Sequence, residues 1–144
     1  MHIPWYVTAL GAALIWGIHY PLIDHALKKI SLFSVLLLTA IPVLLIAPLF
    51  TNTLINDYQT FRTLDTVEKL TISAIGITSI LASVLLFMSI DSKNATLASL
   101  IEITYPVFVA IFSFILFKQL HINISVIAGG ILVITGAGII IMNN

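Results

Sequence analysis

The chain has 144 residues, of which 60% are hydrophobic and only 8% are charged, and its formal net charge is zero. A soluble domain of this length needs far more polar surface, so the composition is that of a membrane protein. A net charge of zero gives no reason to expect nucleic acid as a partner. The sequence contains no cysteine, which excludes disulfides, thiolate metal sites and cysteine nucleophiles.

Five apolar runs are each long enough to cross a hydrocarbon core about 30 Å thick. They cover residues 3–23, 30–50, 70–90, 95–117 and 122–142. Because none of them alternates in polarity as barrel strands do, we predict an all-α membrane protein, a bundle of five transmembrane helices. No Lys or Arg precedes the first run and no Ala-x-Ala site follows it, so we expect a permanent span rather than a cleaved signal peptide.

Most linkers between these runs are short and polar, so consecutive helices should lie antiparallel and adjacent. The exception is the long segment Thr51–Lys69, part of which is expected to lie along the membrane interface because its apolar residues fall at near-helical spacing. Asp65 and Glu68 have the spacing of a capping box that opens the third helix. Pro42 and Pro48 are expected to kink or end the second helix.

Positive charge is divided evenly between the two sides of the membrane. With five spans, Arg62, Lys69 and Lys118 share one side, and Lys28, Lys29 and Lys93 share the other. Orientation normally follows the side with more Lys and Arg in short loops, so this tie gives no strong instruction. Two alternatives stay open: insertion in both orientations with assembly as an antiparallel pair, or one orientation that weaker signals set.

A family resemblance is carried by short motifs in a fixed order. The first span contains Trp16-Gly17 and Tyr20-Pro21. The second half of the chain contains Ala95-Thr96-Leu97-Ala98-Ser99-Leu100, Tyr105-Pro106-Val107-Phe108, and then Gly129 and Gly136 seven residues apart. In this order and spacing the motifs resemble an EamA domain of the drug/metabolite transporter superfamily, over essentially the whole chain.

The resemblance implies one repeat of a ten-helix fold in which two such domains have inverted orientations. A single repeat has to form a homodimer or pair with a second half-unit to complete a two-repeat pathway. Family members usually carry a Gly-Glu pair after the fourth span, whereas this chain has Lys118-Gln119 there. The resemblance also implies transport of metabolites, amino acids or lipophilic cations, often in exchange for protons, by a multi-pass protein of the bacterial inner membrane.

Glu102 lies within the fourth apolar run, about 10 Å inside the membrane edge at the helical rise of about 1.5 Å per residue. An ionisable side chain at that depth is costly and by default indicates function. The alternative is a static hydrogen bond or ion pair between helices. Because Pro106 has no N–H to donate to the carbonyl of Glu102, we expect the helix to bend there and to leave a compact polar site.

Residues near the end of the first span are expected to face this carboxyl from the same side of the membrane. His19 lies about 8 Å inside that edge and is a candidate to share a proton or an ion pair with Glu102. Trp16 and Tyr20 offer aromatic faces to an organic cation, and Tyr105 adds a hydroxyl. For His19 an alternative stays open, in which the side chain reaches the interface or bonds a carbonyl.

Small residues follow one face of the fifth helix, namely Ser125, Gly129 and Gly136. They allow another backbone to approach closely, either at a dimer contact or within one bundle. The sequence has no Gly-x-Ser-x-Gly, no phosphate-binding Gly-rich loop and no His pair at metal-ligand spacing. We therefore predict no enzyme, no cofactor and no metal.

The sequence as a whole favours a transporter of small organic solutes or cations that works as a dimer, with inverted halves, by alternating access. Glu102 is the predicted site of proton or substrate binding, and Pro106 is the predicted hinge. The alternative from another class is a non-transporting membrane subunit that stabilises or regulates a larger transporter or a lipid-carrier flippase complex. That alternative accounts for the half length and the missing Gly-Glu pair without a substrate path.

Overall fold

The computed structural model describes residues 4–119 and 122–143, and these residues contain helices and turns but no strand. Five helical segments are long and apolar enough to cross a membrane: Trp5–Leu27, Leu32–Thr63, Thr66–Ser92, Ala95–Phe117 and Ile124–Asn143. The prediction of an all-α membrane protein with five spans is confirmed. Ile3, where the first predicted span begins, and His121, in the last linker, lie outside the described residues.

Most large apolar side chains of these segments are exposed. Leu14, Leu85 and Leu132, from three different spans, expose 67%, 66% and 73% of their surface. Exposed apolar surface on this scale marks contact with lipid or with another protein. Because lipid tails are as apolar as leucine, the spans associate through close packing and hydrogen bonds between helices rather than through the hydrophobic effect.

The chain divides into two compact units. The first unit consists of Met1–Pro21 together with Ser92–Asn144, and the second consists of Leu22–Asp91. Helix α1 comprises Trp5–Leu27 and contains Pro21. It extends four residues beyond the predicted end at Ile23, and an ion pair of 2.9 Å between Lys28 Nζ and Asp24 Oδ1 lies at its last turn.

In the second unit, the second helical segment is longer than the predicted span. Helix α2 (Leu32–Ile46) contains Pro42, and a 3₁₀ turn (Ala47–Phe50) connects it to α3 (Thr51–Thr63). Pro48 lies in this tighter turn, where its missing N–H is tolerated, and the Thr51 hydroxyl donates a hydrogen bond of 2.7 Å to the Pro48 carbonyl. The chain therefore stays helical as far as Thr63, through most of the segment that the sequence analysis placed between spans.

The next helix, α4 (Thr66–Ser92), begins with the predicted capping box. The N–H of Glu68 donates to Asp65 Oδ1 at 2.8 Å, and the N–H of Asp65 donates to Glu68 Oε2 at 3.4 Å. These reciprocal bonds satisfy two amides that a helix start would otherwise leave unpaired. The prediction of a capping box at these two residues is confirmed.

In the first unit, the fourth span consists of two helices and the fifth of one. They are α5 (Ala95–Glu102), α6 (Tyr105–Phe117) and α7 (Ile124–Asn143). Helix α5 contacts α7, and Ala98 on α5 and Ala137 on α7 are both buried. Small side chains at these positions let the two backbones approach closely, which is how helices pack in a bilayer.

Helix α6 ends at Lys118, which adopts a left-handed backbone conformation with φ 56° and ψ 24°. The N–H of Lys118 donates to the carbonyl of Phe114 at 2.9 Å, and the N–H of Gln119 donates to that of Ser113 at 3.2 Å. Residues with a β-carbon rarely adopt this conformation, whereas glycine adopts it at little cost. Lys118 is therefore a strained residue at the end of this helix.

Candidate functional site

A hydrogen bond joins the first span to the fourth at the predicted site. The Tyr20 hydroxyl donates to Glu102 Oε2 at 2.6 Å. Both side chains are half-buried. A distance of 2.6 Å lies within the normal range for an O–H donor and an oxygen acceptor. The carboxyl thus lies in an apolar segment and takes its hydrogen-bond donor from another helix.

Tyr20, rather than His19, is placed against the carboxyl. The His19 ring packs edge-to-face with Trp16, with ring centroids 5.1 Å apart. Within residues 4–119 and 122–143, no ion pair joins His19 to Glu102. Consecutive helical residues point about 100° apart, so His19 and Tyr20 cannot both face the same neighbour. Nothing in the sequence distinguished the two residues as partners of Glu102, because spacing along a helix does not fix the direction in which each side chain points.

The aromatic rings of Trp16 and Tyr20 lie next to each other, and the Tyr20 hydroxyl reaches the carboxyl. Their centroids are 5.4 Å apart and their planes are tilted by 43°. Trp16 remains 51% exposed, so its ring is accessible. Aromatic faces next to a carboxylate are a combination that attracts cations, particularly organic ones with apolar groups. The cluster of Trp16, Tyr20 and Glu102 has the chemistry of a binding site for such a cation.

The helix of the fourth span breaks directly after Glu102. Helix α5 ends at that residue and α6 begins at Tyr105, with Pro106 in its first turn. Between them the N–H of Thr104 donates to the carbonyl of Ile101 at 3.1 Å, three residues back rather than four. Because Pro106 has no N–H, the carbonyl of Glu102 loses its usual helical donor. Interrupted helices of this kind form binding sites in many transporters because unwound backbone can line a cavity.

Tyr105 lies at the start of α6, next to this break. Its side chain is 58% exposed, and no hydrogen bond joins it to Glu102 in the described part of the chain. Among the described residues, no three His, Asp or Glu side chains are grouped to hold a metal ion. The chemistry of the site is therefore that of one carboxyl, one phenol in contact with it and the neighbouring rings.

An apolar groove of about 370 Å³ lies between α6 and α7. Pro106 and Gly129 both line it. A β-carbon added to Gly130 would lie 3.4 Å from Val107 Cγ2, so Gly130 sets the spacing of the two helices. The sequence analysis did not single out Gly130, because nothing in the sequence distinguishes the glycine that faces a neighbour from Gly129 beside it.

The predicted small-residue face of α7 lies open in this structure. A β-carbon added to Gly129 or Gly136 would meet no other atom of the described chain within 4 Å. Ser125, one turn before Gly129, is exposed. Close packing between α6 and α7 therefore uses Gly130, whereas at Gly129 and Gly136 the described residues leave room for a β-carbon.

Comparison with known families identifies the chain. The sequence pattern of the EamA-like transporter family matches residues 3–142, which include the whole site around Glu102. No curated protein and no solved structure matches the chain. The family match agrees with the five apolar helical spans and confirms the resemblance that the short motifs carry. The chain therefore belongs to the EamA-like transporter family, a family of membrane transporters of small solutes.

Proposed function

We propose that this protein carries small organic solutes or cations across the membrane and that Glu102 binds both the solute and a proton. The observation that carries the proposal is that Glu102, inside an apolar span, has a neutral donor, Tyr20, and no cationic partner among the described residues. A fixed cation would neutralise the carboxylate permanently. Without one, the negative charge needs a proton or a cationic ligand, because an uncompensated charge is costly there.

Exchange of these two cations at one carboxyl gives a transport cycle. In one state Glu102 is protonated, and in the other it holds a cationic solute beside the faces of Trp16 and Tyr20. The site is neutral in both states, so the protein can change conformation without carrying a net charge through the apolar region. The break before Pro106 supplies the hinge, while His19, which contacts Trp16, and Tyr105 complete the proposed site. This is alternating access with proton exchange.

A second half-unit completes the pathway, and we propose an antiparallel homodimer in the bacterial inner membrane. The even division of Lys and Arg between the two sides supports insertion in both orientations. The small residues Ser125, Gly129 and Gly136 support α7 as the contact, since at both glycines the described residues leave room for a second backbone to approach. In a dimer of this kind each chain supplies one inverted repeat.

Uptake by proteoliposomes with an imposed pH gradient tests the role of Glu102. Thermal-shift screening of metabolites, amino acids and lipophilic cations on the purified protein first identifies a solute. Glu102→Gln still accepts a hydrogen bond from Tyr20 but cannot exchange a proton, so we expect proton-coupled uptake to be lost while the dimer persists. Asp57→Asn, which neutralises an exposed carboxyl on α3, should transport like the wild type. Unchanged uptake by Glu102→Gln would refute the role of this residue.

Two further measurements test the dimer. A single cysteine introduced between residues 91 and 94 should be labelled from both sides of the membrane if insertion is dual. Labelling from one side only would exclude the inverted homodimer and leave pairing with a different half-unit. Gly129→Leu should reduce the crosslinked dimer, whereas Gly11→Leu, at an equally open glycine on α1, should not. Equal crosslinking of both variants would show that α7 does not form the dimer contact.

A non-transporting subunit of a larger transporter or lipid-carrier flippase complex is the second candidate. Lys118 and Gln119 favour it, because they stand where the family usually has Gly-Glu. The uptake and solute-binding experiments separate the two candidates. A transporter binds and moves a solute as a purified protein, whereas a subunit does neither and co-purifies from membranes with a partner chain.

A further inference from the structure

A second groove lies in the other unit, along one face of α2, the 3₁₀ turn and α3. Its volume is about 600 Å³. Its lining residues recur every three or four positions, so they share one face of this helical segment. The groove changes in character along its length: Leu44, Ala47 and Leu54 line its apolar end, while Tyr58, Gln59 and Arg62 line its polar end.

The length of the segment places the polar end of the groove at the depth of lipid headgroups. Leu32–Thr63 contains 32 residues. At about 1.5 Å per residue it measures about 48 Å, well over the hydrocarbon thickness of about 30 Å, so one end must leave the core. That end is α3, which is rich in polar residues, and Tyr58 on it is of the type enriched at membrane interfaces. Arg62 lies one turn further from the core.

The groove is long enough to hold one lipid. From Leu44 to Arg62 the helical segment measures about 27 Å, slightly more than one bilayer leaflet with its headgroups, about 20 to 22 Å. The apolar end therefore runs beside acyl chains while Arg62 meets the phosphate layer. Arg62 is exposed and has no hydrogen-bond or ion-pair partner within the described residues. Its guanidinium is available to an anion.

We propose that this groove binds an anionic phospholipid, with an acyl chain along Leu44, Ala47 and Leu54 and the phosphate at Arg62. A guanidinium binds phosphate oxygens in a bidentate manner. The Tyr58 hydroxyl and the Gln59 amide lie at the same end and supply further donors. Asp57, the acidic residue next to them, does not line the groove. The proposal does not depend on whether the protein transports a solute.

Lipid titration of the full-length protein in neutral detergent tests this proposal. We expect phosphatidylglycerol to bind more tightly than phosphatidylcholine by native mass spectrometry and to raise the melting temperature more. Arg62→Gln should weaken phosphatidylglycerol binding about fivefold, the contribution of one basic residue near anionic lipid. Lys29→Gln removes an exposed lysine of the same unit that lies outside the groove, and it should bind like the wild type.

The apolar end is tested separately. Ala47→Phe fills the groove and should weaken binding of both lipids, and Leu54→Gln, at an exposed position, serves the same purpose if Ala47→Phe does not fold. The proposal is wrong if the wild type binds the two lipids with equal affinity. It is also wrong if Arg62→Gln binds phosphatidylglycerol as tightly as the wild type does. Soluble glycerol phosphate that stabilises the protein as much as phosphatidylglycerol does would also overturn it, because the site would then bind phosphate and not a lipid. If the wild type binds no lipid and Ala47→Phe no longer forms the dimer, the groove is instead a contact with a second copy of the chain.

Discussion

The hydrogen bond between Tyr20 and Glu102 predicts that removing its donor lowers the stability of the protein. Tyr20→Phe removes only the hydroxyl and leaves the Glu102 carboxyl without its donor in an apolar span. Hydrogen bonds between membrane helices contribute about 0.6 kcal/mol on average and about 1.7 kcal/mol at most. Because this bond measures 2.6 Å and its acceptor is ionisable, we expect Tyr20→Phe to lower the free energy of unfolding by about 1 to 1.5 kcal/mol.

The same substitution should have little effect when the acceptor is already absent. In a Glu102→Met background, Tyr20→Phe should change the free energy of unfolding by less than about 0.3 kcal/mol, because the interaction it removes no longer exists. The double variant should be more stable than Tyr20→Phe alone, since replacing both partners by apolar groups leaves no unpaired carboxyl. The coupling energy between the two residues is then about 1 kcal/mol.

Unfolding by sodium dodecyl sulfate in mixed micelles, followed by circular dichroism, measures the four proteins of this cycle. Tyr6→Phe is the matched control, because it removes a hydroxyl from the exposed beginning of the same helix. We expect it to change the free energy of unfolding by less than about 0.3 kcal/mol, as surface substitutions usually do. A coupling energy of zero, with Tyr20→Phe no worse than Tyr6→Phe, would refute the argument that this bond holds α1 against α5.

Two further predictions concern α6. Lys118→Gly should stabilise the protein by about 0.5 kcal/mol in thermal unfolding. Glycine removes the strain of the left-handed conformation, about 1 kcal/mol. This gain exceeds the loss of the interaction between Lys118 Nζ and the Phe114 ring, whose centroid is 5.4 Å away. Lys118→Gln loses the same interaction and keeps the strain, so stabilisation by Lys118→Gln would contradict this account. Gly130→Val should lower the melting temperature because its γ-carbons collide with Val107, whereas Gly129→Val should leave the melting temperature of the monomer unchanged. Equal melting temperatures of these two variants would show that Gly130 does not set the helix spacing.

The elements that local chemistry determines were predictable from the sequence. Long apolar runs have few alternatives to a membrane-spanning helix, and the capping box at Asp65 and Glu68 depends only on residues three positions apart. The helix Thr51–Thr63 was less predictable. Its polar composition resembles that of a loop, although its apolar residues fall at near-helical spacing, and in the structure it continues from α2 through the turn at Pro48.

The partner of Glu102 was beyond the reach of sequence reasoning for a different reason. Distance along a helix fixes the depth of a residue in the membrane but not the direction in which it points, so the sequence, which suggested His19 as the partner, could not show that Tyr20 contacts the carboxyl. Rotation of α1 about its axis is set by packing, and in the structure it turns Tyr20 toward Glu102, while the His19 ring contacts Trp16 on its own helix. In the proposed transport cycle this choice matters, because a protonated histidine would form a permanent ion pair with the carboxylate. A phenol donates a hydrogen bond without neutralising that charge, which leaves the carboxylate able to take a proton or a cationic solute in turn.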